Sequence, residues 1–464
     1  MSVKKAAAKA APKAVKPREA RQYSSGPEAM KPVALVKRAA FAPDADSEGE
    51  LICLYPQARY QTVIGFGGAF TGAAAANYAA APAAVKKQIV EALFNPDKGL
   101  GYTFCRTTIH SADFAPESFS YVADGDRSLK SFSVAHDEAD VIPFVKDSLA
   151  ACGKYRRQLR LFASPWSPPA FMKTNGKMIE GGKLRPDCAA LWADYVVKYL
   201  KAYAKHGIKF FAITVQNEPK ARQTWESCQY TAAEEGRFIR EHLRPALDRA
   251  GFKNLKIMIW DHNKERLVER AAETLAMKGV ADAVWGLAFH WYSGPHFGAV
   301  EAAARAFPDK PLVLSEFCHE NLAQGWGLTR AYLEEILGDL GAGAAAIVDW
   351  NMVLDLDGGP YHCRQGGGCA AALTYDPQKK KLAFQPLYHA IAQFSRFIHP
   401  GAVRVGSSVY HRDLQAVAFR NPDGSLVAVA LNVGEEARPA RLRLDGANTA
   451  AFTLAPRSAS TFVL

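Results

Sequence analysis

Long hydrophobic runs are missing from this chain of 464 residues. No apolar stretch approaches the ~20 residues that a helix needs to cross a bilayer, so no membrane span is expected. The first 21 residues are rich in Ala, Lys and Pro and contain no apolar segment of the kind that a secretory signal carries. These two absences favour a cytoplasmic location.

Cysteine is sparse, and its spacing excludes a disulfide framework. Eight cysteines are spread over the whole chain, unlike the dense pattern of small disulfide-rich domains. Cys363 and Cys369 flank a short glycine-rich segment, for which either a local disulfide or two free thiols are expected. The sequence contains no second ligand pair for zinc and no other cluster at metal-ligand spacing.

Phosphate-loop chemistry is also absent. Gly65, Gly67 and Gly68 follow an apolar segment, but the Lys-Ser/Thr pair of a phosphate-binding loop does not follow them. We therefore interpret these glycines as positions where the backbone packs closely against a ligand or another strand.

Positive charge is concentrated at the amino terminus. The net charge is +11, and seven Lys or Arg against one Glu in the first 22 residues supply +6 of it. We interpret residues 1–30 as a disordered, solvated arm. Attraction to nucleic acid, anionic lipid or anionic polysaccharide is the alternative, although no specific nucleic-acid partner is predicted. The sequence contains no signal for an oligomeric state.

The middle of the chain alternates between strand and helix patterns. An apolar content of 49% is enough for a large core. Eight short apolar segments, separated by helical stretches, are predicted strands: 61–71, 101–109, 160–164, 210–218, 256–261, 287–292, 312–316 and 344–351. Eight is the number that closes a parallel barrel, so residues 61–395 are predicted to form a (β/α)₈ TIM barrel.

The carboxyl-terminal region has a different pattern. Short strands at 416–420, 426–432, 440–444 and 460–464 are separated by turns, which is typical of an antiparallel sandwich. We assign residues 396–464 to this second domain. Residues 31–60, which include a strand at 51–55, are predicted to join it. The predicted fold class is α/β, a TIM barrel with an attached antiparallel β-sandwich.

Two glutamates end apolar strands. Glu218 lies between Asn217 and Pro219 at the end of one segment, and Glu316 ends another. In a parallel barrel the reactive groups gather at the carboxyl ends of the strands. A carboxylate in that position must be paired or solvated. Two of them suggest acid–base or nucleophilic work on one bond.

The other predicted strand ends are rich in aromatic, amide and acidic side chains. They carry Asp113, Trp166, Asn217, Asp261, His290, Trp291, Tyr292, Asp349, Trp350 and Asn351. Aromatic faces suit the C–H faces of a pyranose, and Asp and Asn suit its hydroxyls, so the set favours a sugar site. Taken singly, Asp113 could cap a helix, His290 could be a core histidine, and the aromatic residues could fill the barrel mouth.

Several motifs in a fixed order carry a family resemblance. They are GFGGAFT at 65–71, ASPWSPPAFMKTN at 163–175, QNEP at 216–219, FHWY at 289–292, SE at 315–316 and DWN at 349–351. From residue 51 onward the chain resembles glycoside hydrolase family 30, and within it the glucosylceramidase (acid β-glucosidase) branch. The resemblance implies a (β/α)₈ barrel with a β-sandwich and a retaining double displacement on a β-glucoside or β-glucan substrate.

The resemblance also implies roles for individual residues. Glu218 matches the general acid/base and Glu316 the nucleophile. The candidate substrate-binding residues are Asp113, Trp166, Asn217, His290, Tyr292 and Trp350, together with Arg106, which matches a buried arginine near the nucleophile. No metal or organic cofactor is required. We expect Glu316 to be ionised, and Glu218 to hold a proton because the neighbouring negative charge raises its pKa.

The substrate is left open by two departures from the family pattern. Gly72 follows Thr71 where relatives often carry an acidic residue, and the segment 358–369 begins like the last active-site loop and then diverges. Three hypotheses therefore stand: a glucosylceramidase-like β-glucosidase, an endo-β-1,6-glucanase, and a carbohydrate-binding protein without turnover.

Overall fold

The computed structural model describes residues 19–44, 48–320, 325–363 and 368–464. The strands of this part of the chain are β1 (Glu19–Ser24), β2 (Ala34–Pro43), β3 (Leu51–Thr62), β4 (Gly65–Phe70), β5 (Phe104–Ile109), β6 (Arg160–Pro165), β7 (Ala212–Thr214), β8 (Lys256–Asn263), β9 (Gly286–His290), β10 (Leu312–Glu316), β11 (Ala344–Asn351), β12 (Val353–Leu354), β13 (Leu373–Asp376), β14 (Lys381–Phe384), β15 (Val403–Val409), β16 (Leu414–Arg420), β17 (Leu426–Asn432), β18 (Arg438–Leu444), β19 (Ala447–Thr449), β20 (Phe452–Leu454) and β21 (Ser458–Val463).

Helices separate the barrel strands. They are α1 (Gly72–Ala80), α2 (Ala83–Phe94), α3 (Ala135–Glu138), α4 (Val141–Lys154), α5 (Ala189–Lys205), α6 (Ala232–Phe238), α7 (Arg244–Arg249), α8 (Leu267–Leu275), α9 (Val280–Ala283), α10 (Phe297–Ala306), α11 (Trp326–Ala342) and α12 (Pro386–Ser395). A π-helical segment, Ile239–Leu243, joins α6 to α7. Among the helices described, none is long and apolar enough to span a membrane.

Strands β4 to β11 close a parallel barrel, as the sequence predicts. Their order around the barrel is the order of the chain, and β11 pairs with β4 to complete the ring. A layer of apolar side chains fills the interior: Phe104, Phe162, Ala212, Met258, Ala288, Val313, Ala346 and Val348. Because this interior is packed, the barrel has no central pore, and a ligand can bind only at one of its ends.

Close backbone packing explains one of the glycines in β4. A Cβ atom on Gly67 would lie 1.7 Å from the carbonyl oxygen of Phe104 on β5, so no larger residue fits. Thr71 then ends the strand and starts α1, since its Oγ1 accepts a hydrogen bond from the amide of Ala74. The same hydroxyl donates to Asn351 Oδ1 across the strand ends. Gly67 therefore serves the close packing of β4 against β5.

The remaining large sheet has ten strands in the order β19-β2-β1-β21-β17-β16-β15-β3-β18-β20. Strand β19 also pairs with β18, so the two ends of the sheet meet. Its separate core includes Ile52, Leu54, Leu442, Phe452 and Phe462. The fold is thus a TIM barrel with an attached sheet domain, and the predicted fold class is confirmed.

The amino-terminal prediction needs a correction. Residues 19–30 are not a disordered arm, because β1 occupies Glu19–Ser24 and pairs with both β2 and β21. Gln22 is buried, and its Nε2 donates to Thr453 O and Ser460 Oγ. These partners lie more than 430 positions away in the chain, so local composition could not indicate them. Residues 1–18 lie outside the described residues.

Candidate active site

The predicted site residues lie at the carboxyl ends of the barrel strands, around a cavity of about 290 Å³. The residues that line it are Asp113, Phe114, Trp166, Asn217, Glu218, Gln223, Trp225, His262, Asn263, Tyr292, Glu316, Cys318, Glu320, Trp350 and Cys369. Seven of the nine predicted residues are in this lining. The other two, Arg106 and His290, are buried beneath it.

A larger cavity, of about 850 Å³, lies at the opposite end of the barrel. Its lining includes Arg160, Leu312 and Ala345, from the beginnings of strands β6, β10 and β11, and Arg404 from β15. Arg404 lies 3.5 Å above the ring of Tyr60. The predicted catalytic glutamates are at the other end of the strands, so we place the chemistry in the smaller cavity.

Glu316 is held by donors on both oxygens. It is the last residue of β10 and is in register with His290 on β9. Arg106 Nη1 donates to Glu316 Oε2 at 2.7 Å, and the Tyr292 hydroxyl donates to Oε1 at 2.9 Å. The side chain is 8% exposed and faces the cavity. Its two oxygens are thus fixed in a single orientation.

Arg106 connects the acidic groups beneath the cavity. Besides Glu316, its Nη2 donates to Asp261 Oδ2 at 2.7 Å and to Asn217 Oδ1 at 2.9 Å. Its guanidinium lies 4.7 Å from the centre of the Trp166 ring. A fully buried guanidinium is stable here because several acceptors surround it.

Glu218 follows β7 in a left-handed conformation, with φ of 46°. A non-glycine residue in this region is strained, and such strain is concentrated at functional sites. The amide of Glu218 donates to Asp261 O at 2.9 Å, which anchors the backbone there. Two imidazoles face its carboxyl: His290 Nδ1 is 3.3 Å and His262 Nδ1 is 3.5 Å from Oε1.

His290 links both glutamates. Its Nδ1 lies 3.3 Å from Glu218 Oε1 and 3.9 Å from Glu316 Oε1. Its Nε2 meets Asp261 Oδ1 at 3.0 Å. One ring nitrogen is therefore within 4 Å of the two carboxylates that the sequence proposes as a pair.

Charge at the centre is distributed differently from the prediction. Burial lowers the pKa of His290, but Glu316, Asp261 and Glu218 outweigh it and raise the pKa to about 9. Burial raises the pKa of Glu218, yet His262 and His290 hold it below its ordinary value. Burial raises the pKa of Glu316 above its ordinary value, and the positive charges of His290 and Arg106 offset only part of this rise. The prediction of a raised pKa at Glu218 is wrong, because two imidazoles flank the carboxyl.

Two indoles form a wall of the cavity. Trp166 and Trp350 stack with ring centres 5.0 Å apart and an interplanar angle of 20°. The edge of Phe114 meets Trp350 at 6.4 Å. Aromatic faces of this kind give a sugar ring an apolar surface beside the two carboxylates.

Asp113 is set against the same wall. Burial and the charge of Glu316 raise its pKa well above the ordinary value. Its Oδ1 makes no hydrogen bond to any residue in the described part of the chain. A neutral carboxyl with an unused oxygen is a suitable partner for a sugar hydroxyl.

Glu226 connects three loops above the barrel. Ser111 and Ser118 each donate to its Oε1 at 2.6 Å, and His362 Nε2 lies 3.1 Å from its Oε2. Ser111 and Ser118 lie in the loop after β5, Glu226 lies in the loop after β7, and His362 lies in the loop after β12. The sequence did not indicate this network, because none of its members ends a strand.

Cys363 and Cys369 are in one of the two states expected for them, that of free thiols. All eight cysteines are free, so Cys363 and Cys369 form no disulfide. Cys369 instead meets Cys318 of the β10 loop, with their Sγ atoms 3.0 Å apart. The two thiols contribute to the cavity lining close to the Tyr292 hydroxyl, which is 3.5 Å from Cys318 Sγ.

Sequence spacing also missed His262. Asp261 is an extra residue in β8, opposite the step from Ala288 to Phe289, and Trp260 and Asp261 both have positive φ. This bulge lets Asp261 reach Arg106 while His262 faces Glu218. The only signal in the sequence was the adjacency of His262 to a predicted strand end.

Both parts of the chain match family models. Residues 63–398 match the glycosyl hydrolase family 30 TIM-barrel domain, and residues 401–462 match the family 30 beta sandwich domain. The chain belongs to glycosyl hydrolase family 30. As a family 30 member with glucosylceramidase and glucanase relatives, it is a glycosidase, and the sequence-based recognition of the family is confirmed.

Individual relatives cover most of both chains. Lysosomal acid glucosylceramidase of Mus musculus is 31% identical over 412 residues, which are 84% of this chain and 79% of the relative. The crystal structure of SrfJ from Salmonella typhimurium superimposes with a TM-score of 0.91 at 37% identity, covering 96% and 99% of the two chains. The endo-beta1,6-glucanase BT3312 gives a TM-score of 0.84 at 25% identity, with the same coverage.

Proposed function

We propose that this family 30 glycosidase is a retaining β-glucosidase in which Glu316 is the nucleophile and Glu218 the general acid/base. The observation that carries the proposal is that both carboxylates face His290 Nδ1, at 3.9 Å and 3.3 Å, in one aromatic cavity. Retaining enzymes need their carboxyl groups about 5 Å apart, and this shared contact supports such a separation.

In the first step, Glu316 attacks the anomeric carbon and Glu218 protonates the departing oxygen. Arg106 and Tyr292 fix the two oxygens of the nucleophile. His290, with its pKa near 9, is protonated at neutral pH and keeps a proton 3.3 Å from Glu218. This proton moves from His290 to Glu218 as Glu218 protonates the glycosidic oxygen, and it returns to His290 after Glu218 takes a proton from water in the second step.

In the second step, the same carboxyl works as a base. Glu218 takes a proton from water, and the water oxygen attacks the anomeric carbon of the glycosyl-enzyme. The bond to Glu316 breaks, and the sugar leaves with its original anomeric configuration. His262 and His290 favour the anionic form of Glu218, which suits this basic role.

For the substrate, we propose a β-glucoside of the glucosylceramide type. The match to a lysosomal acid glucosylceramidase over 84% of the chain supports this choice. An endo-β-1,6-glucanase is the second candidate, supported by the TM-score of 0.84 with a glucanase of that type.

Replacing the nucleophile tests the mechanism. Glu316→Gly should lower the hydrolysis of an aryl β-glucoside at least ~10³-fold, because the covalent step is lost. Azide or formate should restore part of the rate, since either can enter the space left by the carboxylate. Glu301→Gln on α10 serves as the control. Parental activity in Glu316→Gly would refute the assignment.

A substrate panel separates the two candidates. Purified enzyme is incubated with glucosylceramide and with β-1,6-glucan, and the products are resolved by chromatography. Oligosaccharides from the glucan would support the endo activity, whereas glucose and ceramide would support the glucosylceramidase activity. Anomeric analysis of the first product by NMR reports retention, and an inverted product would contradict the double displacement.

A further inference from the structure

Three metal-binding atoms converge at the acid/base residue. Glu218 Oε1, His262 Nδ1 and His290 Nδ1 all lie within 4.8 Å of one another. In the part of the chain that the structure describes, this is the one group of three such side chains close enough to share an ion. The sequence showed no cluster at metal-ligand spacing, because the three donors come from the loop after β7, from β8 and from β9.

The distances match a zinc site. Zinc binds His nitrogen and carboxylate oxygen at ~2.0–2.2 Å, and the edges of such a tetrahedron are ~3.3–3.5 Å long. His290 Nδ1 and His262 Nδ1 are 3.3 Å and 3.5 Å from Glu218 Oε1. The two imidazole nitrogens lie within 4.8 Å of each other, so the three atoms surround one position that an ion can occupy.

The surroundings orient both imidazoles toward that position. Asp261 Oδ1 meets His290 Nε2 at 3.0 Å, which fixes the ring with its Nδ1 directed toward Glu218, so that zinc binds there by displacing the Nδ1 proton. Asp261 is itself held by Ser315 Oγ and Arg106. Carboxylate–histidine pairs of this kind support zinc ligands in many proteins. His262 Nδ1 is buried and makes no hydrogen bond among the described residues.

We propose that Glu218, His262 and His290 form a binding site for Zn²⁺, with a fourth position open to the cavity. Two histidines and one glutamate suit zinc, because magnesium and calcium prefer oxygen ligands alone. A bound ion occupies the position of the proton shared by these groups, so Glu218 can neither donate nor accept one. Zinc is thus a reversible inhibitor of hydrolysis, a consequence that rests on the proposed function.

Binding is tested without reference to activity. Full-length protein, freed of metal by a chelator, is titrated with ZnCl₂ in a calorimeter and with CoCl₂ in an absorption spectrometer. We expect one Zn²⁺ per chain and the intense visible bands of tetrahedral cobalt. His262→Asn should weaken zinc binding at least tenfold, since it removes one of three ligands. Unchanged binding in His262→Asn would overturn the proposal.

Controls identify the atoms that hold the ion. His206→Asn removes a histidine that has one carboxylate partner, Glu138 at 3.0 Å, and should bind zinc as the parent does. Cys369→Ser tests the thiol pair with Cys318, and loss of binding in this variant would assign the ion to sulfur and refute the site. Glu218→Gln, a second ligand variant, should weaken binding as His262→Asn does. Circular dichroism confirms folding of each.

The zinc site and the proposed glycosidase function can be refuted independently of each other. Aryl β-glucoside hydrolysis should fall over the zinc concentrations at which calorimetry shows binding, and EDTA should restore it. If the protein binds zinc at these three residues but hydrolyses no glycoside, the metal site stands and the proposed function is refuted. If it hydrolyses glycosides but binds no zinc, the metal site alone is refuted.

Discussion

At the scale of single residues, Arg106 determines how the charges of the site are arranged. Its two terminal nitrogens contact Glu316, Asp261 and Asn217, and its guanidinium lies under Trp166. Three separate barrel strands, or the loops directly after them, thereby share one cation. Glu316, the proposed nucleophile, is oriented by Arg106 and Tyr292, whereas Glu218, the proposed acid/base, faces one buried imidazole and one in the cavity lining.

Tyr292 should help to orient Glu316, the proposed nucleophile. Its hydroxyl donates to Glu316 Oε1 at 2.9 Å. A hydrogen bond to a charged group contributes ~1.5–3 kcal/mol, so Tyr292→Phe should lower kcat/KM roughly 10- to 100-fold. Steady-state kinetics on an aryl β-glucoside measure this, with the exposed Tyr410→Phe as control. Equal losses in both variants would contradict the role.

Asp349 should make stability depend on pH. Burial raises its pKa from 3.8 to about 8, so folding favours the protonated form. The contribution to stability is complete below pH 4 and is lost as pH rises to about 8. The side chain of Asn in Asp349→Asn does not titrate, so the stability of this variant lacks this pH dependence. The free energy of unfolding of the variant should gain on the parent by ~1.4 kcal/mol per pH unit in this window.

Urea unfolding of both proteins at pH 5, 6 and 7 measures that difference. Parallel pH dependences would show that Asp349 keeps an ordinary pKa in the folded protein.

At the scale of elements, the loops after the barrel strands are joined by buried polar contacts. Glu226 is the clearest case, since it binds two serines after β5 and His362 after β12. Burial raises its pKa, but His362 and the serines lower it to about 2. An ion pair thus joins two loops that are distant in sequence.

Glu226→Gln should loosen the contact between these loops. The amide keeps the shape and loses the charge that pairs with His362, so the free energy of unfolding should fall by ~1–3 kcal/mol. Hydrogen–deuterium exchange should quicken in residues 110–118 and 355–363. The exposed Glu117→Gln, beside His136, is the control. Unchanged exchange in both segments would contradict a coupling of the loops through Glu226.

The strands were predictable and their irregularities were not. Glu218 and Glu316 end apolar segments bounded by clear breaks, so their convergence followed from barrel geometry. His262 faces Glu218 only because Asp261 forms a β-bulge, and the hydrophobic periodicity of the sequence does not indicate where a bulge lies. Likewise the contact of Cys318 with Cys369 depends on how two loops approach each other.

At the scale of the whole molecule, the two ends of the chain complete one sheet. Strand β1 lies between β2 and β21. Four of the carboxyl-terminal strands, β16, β17, β18 and β21, were predicted from apolar segments bounded by turns, whereas β1 carries polar side chains on a basic segment. Its identity as a strand comes from partners at the other end of the chain, which explains why local composition suggested disorder.

Gln22 tests this closure. Its Nε2 donates to Thr453 O and Ser460 Oγ in a buried position. Gln22→Ala should lower the free energy of unfolding by ~1–3 kcal/mol, because buried acceptors lose their donor. Chemical denaturation measures the effect, and Gln378→Ala in the exposed turn after β13 is the control. Identical midpoints for parent and Gln22→Ala would contradict it.

The bulge in β8 has a consequence for redesign. With one residue fewer, the strand would keep its pairing to β9, but Asp261 and His262 could no longer both reach the centre. Engineers who swap barrel segments among related enzymes should therefore preserve strand length here before they vary any side chain. A grafted strand without the bulge would keep the same residue types, but Glu218 would lose its contact with His262.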